Sequence, residues 1–369
     1  MAIVLVVGIV VPGRGLANEP VTDLATAESG GRVDRVPKLI EWSAVELRPD
    51  QIAASIDQME SRPFDGLVVR VDDEAGRQLF WEAWGHRRLR VEEFREDVET
   101  LRRVPFVRLS ERFLRVNVMP ADVDWLDEDG WDTILNNMRV AAEIARLTGC
   151  RGILFDTEQY GPPLFDPDAT INAIHDRRTL SGRVTRCGRE WIDAIESELP
   201  DPVILMTFGY RTALAPPQSW NWDGKYRLLA DFLDGVLAAA DEGTRLIDGW
   251  EHSYGYTRPE QFAAARRTIL EESLEWTARP ARYRTRVRAG FGLWTDYCLD
   301  DSPWSQTDFS ANFHSPDQFR RMLEAAFRNA DEYVWLYSGE PDWWTGDSVP
   351  PQYFEAIRLA RSGAGIDTR

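Results

Sequence analysis

The sequence predicts an α/β fold, a single (β/α)8 barrel in which eight parallel strands alternate with eight helices. Short β-branched runs alternate with amphipathic stretches from residue 38 onward, which is the pattern of consecutive βα units. No linker, repeat or low-complexity tract divides the 369 residues, so one catalytic barrel is expected over residues 37–363, with a tail at 364–369. A hydrophobic content of 43% is enough to fill a core of that size.

Each predicted strand is a short apolar run that ends in polar or aromatic residues. In a barrel the carboxyl ends of all strands lie on one face, where the loops build the active site. The expected strands cover residues 38–42, 64–71, 113–119, 152–160, 203–210, 245–251, 287–295 and 333–338.

Several helix starts carry recognisable first-turn residues. Ser315 is placed to cap a helix whose first turn begins with Pro316, and Pro49 and Pro259 mark two further starts. The acidic segment at 124–130 resembles a calcium-binding loop, but its glycine and acidic residues miss the required spacing. We interpret that segment as a capped helix start.

Three loops are longer than a minimal barrel requires, after strands two, four and five. Because they follow strands, they are expected on the face that carries the active site. They cover residues 72–90, 160–182 and 211–225; the first contains Trp81, Trp84 and His86, and the third contains Trp220 and Trp222.

Charge and cysteine content exclude several classes of function. The net charge of -18 disfavours nucleic acid and anionic membranes as partners, and neutral or weakly charged substrates fit best. Cys150, Cys187 and Cys298 fall at predicted core or helix positions, and no Cys/His spacing indicates zinc. We therefore expect three buried, inert thiols, no metal and no cofactor.

The amino-terminal residues predict export. An apolar run at 2–11, too short to span a bilayer, precedes small residues typical of a cleavage site. We interpret residues 1–17 as a signal peptide and 18–36 as a flexible lead-in, which predicts a secreted or periplasmic protein with no membrane insertion of the mature chain. No Lys or Arg precedes the run, and the alternative is a buried first strand.

The fourth strand carries the strongest catalytic signal. Asp156 and Glu158 are two residues apart, so their side chains point to the same face, roughly 7 Å apart along a strand. Proximity of like charges and partial burial raise a carboxyl pKa, which is what a general acid for glycosidic bond cleavage requires. The alternative is that one of them only pairs with a nearby arginine.

This strand resembles the catalytic strand of glycoside hydrolase family 18, whose signature is Asp-Gly-hydrophobic-Asp-hydrophobic-Asp-x-Glu. The matching residues are Gly152, Ile153, Phe155, Asp156 and Glu158, while Arg151 and Leu154 replace the first two aspartates. The resemblance implies that Glu158 is the proton donor and that Asp156 orients a substrate acetamido group. It also implies an assisting Tyr254 on strand six and Trp335 as the floor of the sugar site.

Other residues at strand ends are candidates for the second carboxylate or for sugar contacts. Because Leu154 stands where the family has an aspartate, Glu251 is a candidate for the second carboxylate, with Glu340 as a rival nucleophile, and His252 is expected to be structural. Aromatic faces stack on sugars and polar groups bind hydroxyls. The remaining candidate contacts are Glu41, Trp42, Asn117, Tyr160, Trp294, Asp296 and Trp343.

These observations favour a secreted glycoside hydrolase acting on an oligosaccharide or glycan, with N-acetylhexosamine-directed, substrate-assisted chemistry as one form of it. Two alternatives remain: a non-catalytic carbohydrate-binding barrel, and another barrel enzyme such as a lyase or a metal-dependent hydrolase. Only four histidines are present and none pairs with a carboxylate at ligand spacing, which disfavours the metal enzyme.

Overall fold

A computed structural model describes residues 36–44, 46–214, 225–298 and 303–366. Within these ranges the strands are β1 Lys38–Glu41, β2 Gly66–Val69, β3 Glu111–Asn117, β4 Gly152–Asp156, β5 Val203–Met206, β6 Arg245–Asp248, β7 Val287–Ala289, β8 Phe291–Trp294 and β9 Tyr333–Tyr337. The helices are α1 Pro49–Glu60, α2 Leu79–Glu82, α3 Arg95–Arg103, α4 Glu128–Leu147, α5 Thr170–Ala173, α6 Arg177–Glu196, α7 Tyr210–Leu214, α8 Arg227–Ala239, α9 Glu260–Leu270, α10 Pro280–Arg286, α11 Pro316–Asn329 and α12 Pro351–Gly363.

The strands form one parallel sheet that closes into a barrel, which confirms the predicted fold class. Their order is β7-β6-β5-β4-β3-β2-β1-β9-β8. The seventh barrel strand is interrupted at Gly290, so β7 pairs with β6 while β8 pairs with β9 and completes the ring. A Cβ at Gly290 would lie 2.7 Å from Ile247 Cγ2, so only glycine fits this bend without displacing the neighbouring strand.

Side chains alternate between an inner core and an outer core, as the period of a strand requires. On β4, Leu154 packs inside the barrel, whereas Ile153 and Phe155 belong to the outer core beneath the helices. Trp335 fills much of the inner core. A Cβ at Gly249 would lie 2.0 Å from its ring, which explains why glycine stands at that position.

The predicted strands end earlier than the sequence pattern indicates, and the difference is largest at β4, β5 and β6. β4 ends at Asp156 and β6 at Asp248, because the chain then leaves the sheet. After β6, Trp250 takes a left-handed backbone conformation with φ 50°, and a short 3-10 turn follows at Glu251–Gly255. Glu158 and Glu251 therefore lie on loops just above the strand ends.

The predicted helix starts are confirmed where capping was expected. Ser315 Oγ accepts a hydrogen bond from the Gln318 backbone as part of a reciprocal capping box. Asp127 caps α4 by accepting from the Gly130 backbone, which confirms that the acidic segment is a helix start. Pro49 is the first residue of α1, as predicted.

Of the long loops, the one after β2 is well packed and its Trp84 is buried in the outer core. Trp220 and Trp222, and the signal-peptide and lead-in predictions up to residue 35, lie outside the described residues. None of the helices in the described ranges is both long enough and apolar enough to cross a membrane.

Candidate active site

Asp156 is fully buried at the carboxyl end of β4, and both of its carboxylate oxygens are occupied. Oδ2 accepts from Arg115 Nη2 at 3.0 Å and from the Tyr160 hydroxyl at 3.1 Å. Oδ1 accepts from the Glu158 backbone N–H at 3.1 Å and from Thr207 Oγ1 at 3.5 Å. This carboxylate is held in one orientation and points into the barrel, not into the open cleft.

Arg115 supplies the cation that compensates Asp156. It lies on β3 and also binds Glu46 through Nη1 and Asn117 Oδ1 through Nε, the latter at 2.9 Å. Its guanidinium packs over the Phe80 ring, with 4.4 Å from Cζ to the ring centroid. Burial alone lowers the pKa of Arg115, but the charges of Glu46 and Asp156 outweigh burial and raise it above its usual value.

Glu158 follows on the same side and is half-buried at the mouth. Desolvation by burial is the main reason that its pKa is raised to about 7, and the negative charge of Asp156 adds to the shift. A hydrogen bond with Tyr160 and the charge of Arg115 act in the opposite direction. Near neutral pH this carboxyl is therefore able to carry a proton.

Glu251 is the second carboxyl of the mouth. Burial, followed by the charge of Glu158 and then that of Asp156, raises its pKa well above the usual range. A hydrogen bond with Tyr254 opposes that shift, and the Tyr254 hydroxyl itself accepts from Trp335 Nε1 at 3.0 Å. Because the Tyr254 oxygen already accepts a hydrogen bond from Trp335, the hydroxyl uses its own proton to donate to Glu251.

One oxygen of Glu251 has no hydrogen-bond partner among the described residues. Its Oε2 is buried, and a buried acceptor without a donor is unfavourable. Glu158 and Glu251 influence each other electrostatically, which requires that the two carboxyls be close in space although they lie on different loops. The charge of one carboxyl therefore adds to the upward pKa shift that burial causes in the other.

Aromatic rings line two sides of this carboxyl pair. On one side the rings of Trp81 and Tyr160 meet edge to face at 5.5 Å, and Tyr160 is 47% exposed. On the other side Trp294 meets Tyr337 at 5.1 Å, and both rings are partly exposed. Partly exposed rings beside a polar centre are suited to stacking on the apolar face of a sugar.

Several predicted site residues lie in the barrel below the mouth. Trp42 and Asn117 are buried, and Trp335 is fully buried beneath Tyr254. Trp335 was expected to form an accessible floor, and the structure corrects this, because it supports the site from within the inner core. Asn117 contributes indirectly by binding Arg115.

Two predicted contacts lie outside the barrel wall. Trp343 is fully buried in the outer core, where its ring packs on Phe64 and Phe354. Glu41 is also buried, accepts from the Trp344 indole at 2.9 Å, and has its pKa raised to about 8 by burial. Both corrections follow from strand alternation and loop folding, which direct these side chains away from the mouth.

Other predicted residues support the rim. Asp296 accepts from the backbone N–H groups of Gly339 and Glu340, each at 2.8 Å, and from the Trp294 indole. Asp296 thereby joins the loops after β8 and β9, and it leaves Glu340 exposed at the rim. His252 meets Thr212 at 2.8 Å, and burial lowers its pKa to about 4, as a structural histidine permits.

Sequence reasoning missed four contributors, namely Arg115, Glu46, Trp81 and Tyr337. A usable signal existed for Arg115, because it is a charged residue at an inward-facing position of β3, between Phe113 and Asn117. In the described part of the chain, no three His, Cys, Asp or Glu side chains are grouped to hold a metal. Cys298 is exposed, which corrects the expectation that all three cysteines are buried.

No protein-family profile matches the chain, and no curated protein matches it in sequence. Solved structures do match in fold. The tri-modular endo-beta-1,4-glucanase B from Bacillus halodurans is 11% identical at a TM-score of 0.50, over 89% of this chain and 60% of that one. A GH5_18 structure from Streptomyces cattleya in complex with GlcNAc is 12% identical at a TM-score of 0.49, over 89% and 81%.

An O-GlcNAc hydrolase mutant from Thermobaculum terrenum is 10% identical at a TM-score of 0.45, over 91% of this chain and 64% of that one. At such low identity the likeness concerns the fold alone, since one barrel hosts many chemistries. The chain is thus a (β/α)8 barrel similar in architecture to the barrel of this endo-beta-1,4-glucanase from Bacillus halodurans.

Proposed function

We propose that this protein is a glycoside hydrolase that cleaves an O-glycosidic bond in an oligosaccharide or glycan. The observation that carries the proposal is the close pair Glu158 and Glu251, two desolvated carboxyls with raised pKa at the mouth of the barrel. A pair that shares one proton over an interval of pH offers an acid and a carboxylate at once, as glycosidic cleavage requires.

In the proposed reaction Glu158 donates its proton to the glycosidic oxygen while the bond from that oxygen to the anomeric carbon breaks. Glu251 acts as the carboxylate that stabilises or attacks the anomeric carbon, and water completes hydrolysis. A hydrogen bond donated by Tyr254 favours the ionised form of Glu251, and it opposes the burial and the neighbouring charges that raise the pKa of this carboxyl overall.

Substrate-assisted cleavage, the other form of the hypothesis, receives less support. It needs Asp156 to orient an acetamido group, yet both oxygens of Asp156 already accept hydrogen bonds from protein donors and the residue is fully buried. A carboxylate supplied by the protein, Glu251, is therefore favoured over an internal nucleophile from the substrate.

The experiment is a panel of aryl glycosides that includes N-acetylhexosaminides, together with natural oligosaccharides, tested on the wild type and on Glu158→Gln. We expect turnover by the wild type and loss of turnover with retained ligand in the variant. Proton NMR of the first-formed anomer then reports retention or inversion. Ligand binding without any turnover would instead favour the non-catalytic carbohydrate-binding barrel.

We further propose that the chain is exported, on the basis of the apolar run at 2–11. Expression of the full sequence in a bacterial host, with and without residues 1–17, tests this by fractionation and by amino-terminal sequencing of the exported protein. Retention of the unprocessed full chain in the cytoplasm would contradict it.

A further inference from the structure

Three loops at the mouth are free of positive charge. Their described parts follow β4, β8 and β9 and cover residues 157–176, 295–298, 303–315 and 338–350. Together these parts contain nine Asp and Glu residues and no Lys or Arg, although Lys and Arg account for 43 of the 369 residues of the chain. They belong to the face on which Glu158 lies and add negative charge to it, which is compensated in part because Asp168 pairs with Arg227 and Arg177.

The side chains inside the mouth continue this imbalance. Four carboxyls, from Glu46, Asp156, Glu158 and Glu251, face a single guanidinium, and Arg115 is already committed to the first two. Glu158 and Glu251 are thus left without a cation of their own among the described residues that contact them. The pair must accept a proton, or a positive charge must come from outside.

An independent observation indicates what the pair lacks. Glu251 Oε2 is buried in the mouth and accepts no hydrogen bond within the described chain. Tyr254 already donates to Glu251, and Arg115 is bound to Glu46 and Asp156, so a donor for this oxygen has to come from solvent or from a ligand. A donor that also carries positive charge satisfies both the vacant acceptor and the surplus of carboxylates.

We propose that the substrate is a cationic glycan, that is, an oligosaccharide of hexosamines whose amino groups are free and protonated. An ammonium group offers three N–H donors and a unit charge, whereas N-acetylation removes the charge. Uronic or sulfated sugars would meet repulsion at the same loops. This inference rests on the proposed glycosidase function and specifies its substrate class.

The test compares three oligosaccharides of equal length: a hexosamine oligomer with free amines, the same oligomer fully N-acetylated, and a neutral glucose oligomer. At pH 6 we expect kcat/KM for the free amine to exceed both others by at least about tenfold, corresponding to one factor of ten per 1.4 kcal/mol. The preference should shrink between low salt and 0.5 M salt, because ions screen the mouth. Equal or better cleavage of the acetylated or neutral oligomer overturns the inference while leaving the glycosidase proposal intact.

If no oligomer is cleaved, calorimetric titration of the wild type separates the two proposals. Selective, salt-sensitive binding of the free-amine oligomer supports the cationic ligand and refutes the enzyme, and the absence of selective binding overturns the cationic ligand as well. A matched pair of variants localises the effect. Glu340→Gln removes a rim charge, and Asp57→Asn removes an exposed charge near the carboxyl end of α1, on the opposite face of the barrel.

We expect Glu340→Gln to reduce the free-amine preference about threefold and Asp57→Asn to leave it unchanged. A threefold change is an order-of-magnitude expectation for one exposed charge in a screened field. If both variants change the free-amine preference by the same factor, recognition of the ligand by the three loops at the mouth is refuted.

Discussion

The two ends of the barrel differ in whether their buried acidic side chains have partners that compensate their charge. At the amino-terminal end, Glu332 binds Arg245 at 3.0 Å and Arg288 at 3.9 Å, and Glu111 accepts from the Tyr333 hydroxyl at 2.8 Å. Their charges are compensated by arginines, since Arg151 also lies 3.8 Å from Glu111. Such pairing is what a fold needs when it buries charge.

At the mouth, Asp156 has a compensating cation, but Glu158 and Glu251 do not have one of their own among the described residues. Arg115 neutralises Asp156, whereas Glu158 and Glu251 remain desolvated and close to each other, with raised pKa values. Desolvated carboxyls without a compensating cation lower the free energy of unfolding. Their position on the face where barrels place their active sites therefore indicates function. The comparison teaches that the acidic residues of interest are the uncompensated ones.

The largest expected effect concerns the mouth pair. Glu158→Gln and Glu251→Gln each keep the volume of the side chain and remove its acid or carboxylate chemistry. Because general acid catalysis contributes about 10²–10⁴-fold, kcat should fall by about that factor in Glu158→Gln. Steady-state kinetics and ligand titration measure it, and a Gln variant with normal kcat would refute the assigned role.

The next largest effect concerns Arg115. In Arg115→Met the carboxylates of Glu46 and Asp156 lose their shared cation while remaining buried, which should cost about 3–5 kcal/mol of unfolding free energy. Urea denaturation measures the loss, and Arg115→Met with Asp156→Asn should cost less than the two single changes added together. Strict additivity would show that the pair is not coupled.

The pH dependence of activity should report the protonation of Glu158 at the mouth. Since the acid must be protonated and Glu158 has its pKa raised to about 7, kcat should fall above pH 7, approaching tenfold per pH unit. A pH–rate profile checks this. Activity that stays constant up to pH 9 would exclude Glu158 as the acid.

The free energy of unfolding should also depend on the protonation of Glu158. A folded-state pKa raised from 4.5 to about 7 means that the folded protein binds this proton more tightly than the unfolded chain does. The stability contributed by the proton is present in full below pH 4.5 and is lost as pH rises through 7. Glu158→Gln should flatten that part of the curve of unfolding free energy against pH.

The smallest effect belongs to the amino-terminal end. Tyr333→Phe removes one hydroxyl that donates to Glu111 and leaves the ring in the inner core. We expect a loss of about 1 kcal/mol in unfolding free energy, the usual contribution of one hydrogen bond, with kcat/KM unchanged. A drop in activity without a drop in stability would break the division between the two ends.

Sequence patterns predicted the fold well, because alternation of strands and helices is a local property. The same alternation placed Asp156 inward beside Leu154 and put the loop of Glu158 at the mouth. Strand lengths were overestimated at β4 and β6, since polar residues after a strand continue its pattern even where the backbone leaves the sheet.

Contacts between distant segments were the part that could not be predicted. Trp343 resembled a rim residue because it follows β9, but the loop folds back and buries it against the helices. Trp335 had the correct strand and face, yet its depth below Tyr254 depends on the glycines that admit its ring. Neither outcome is encoded in local spacing.

The sequence by itself determined the parallel barrel and the inward direction of Asp156. Only the tertiary structure decided which acids are compensated. Arg115 reaches Asp156 because β3 and β4 are neighbours in the closed sheet, and Glu251 meets Glu158 because the barrel brings their loops together. Periodicity fixes the face to which a side chain points, whereas closure of the barrel fixes what it meets there.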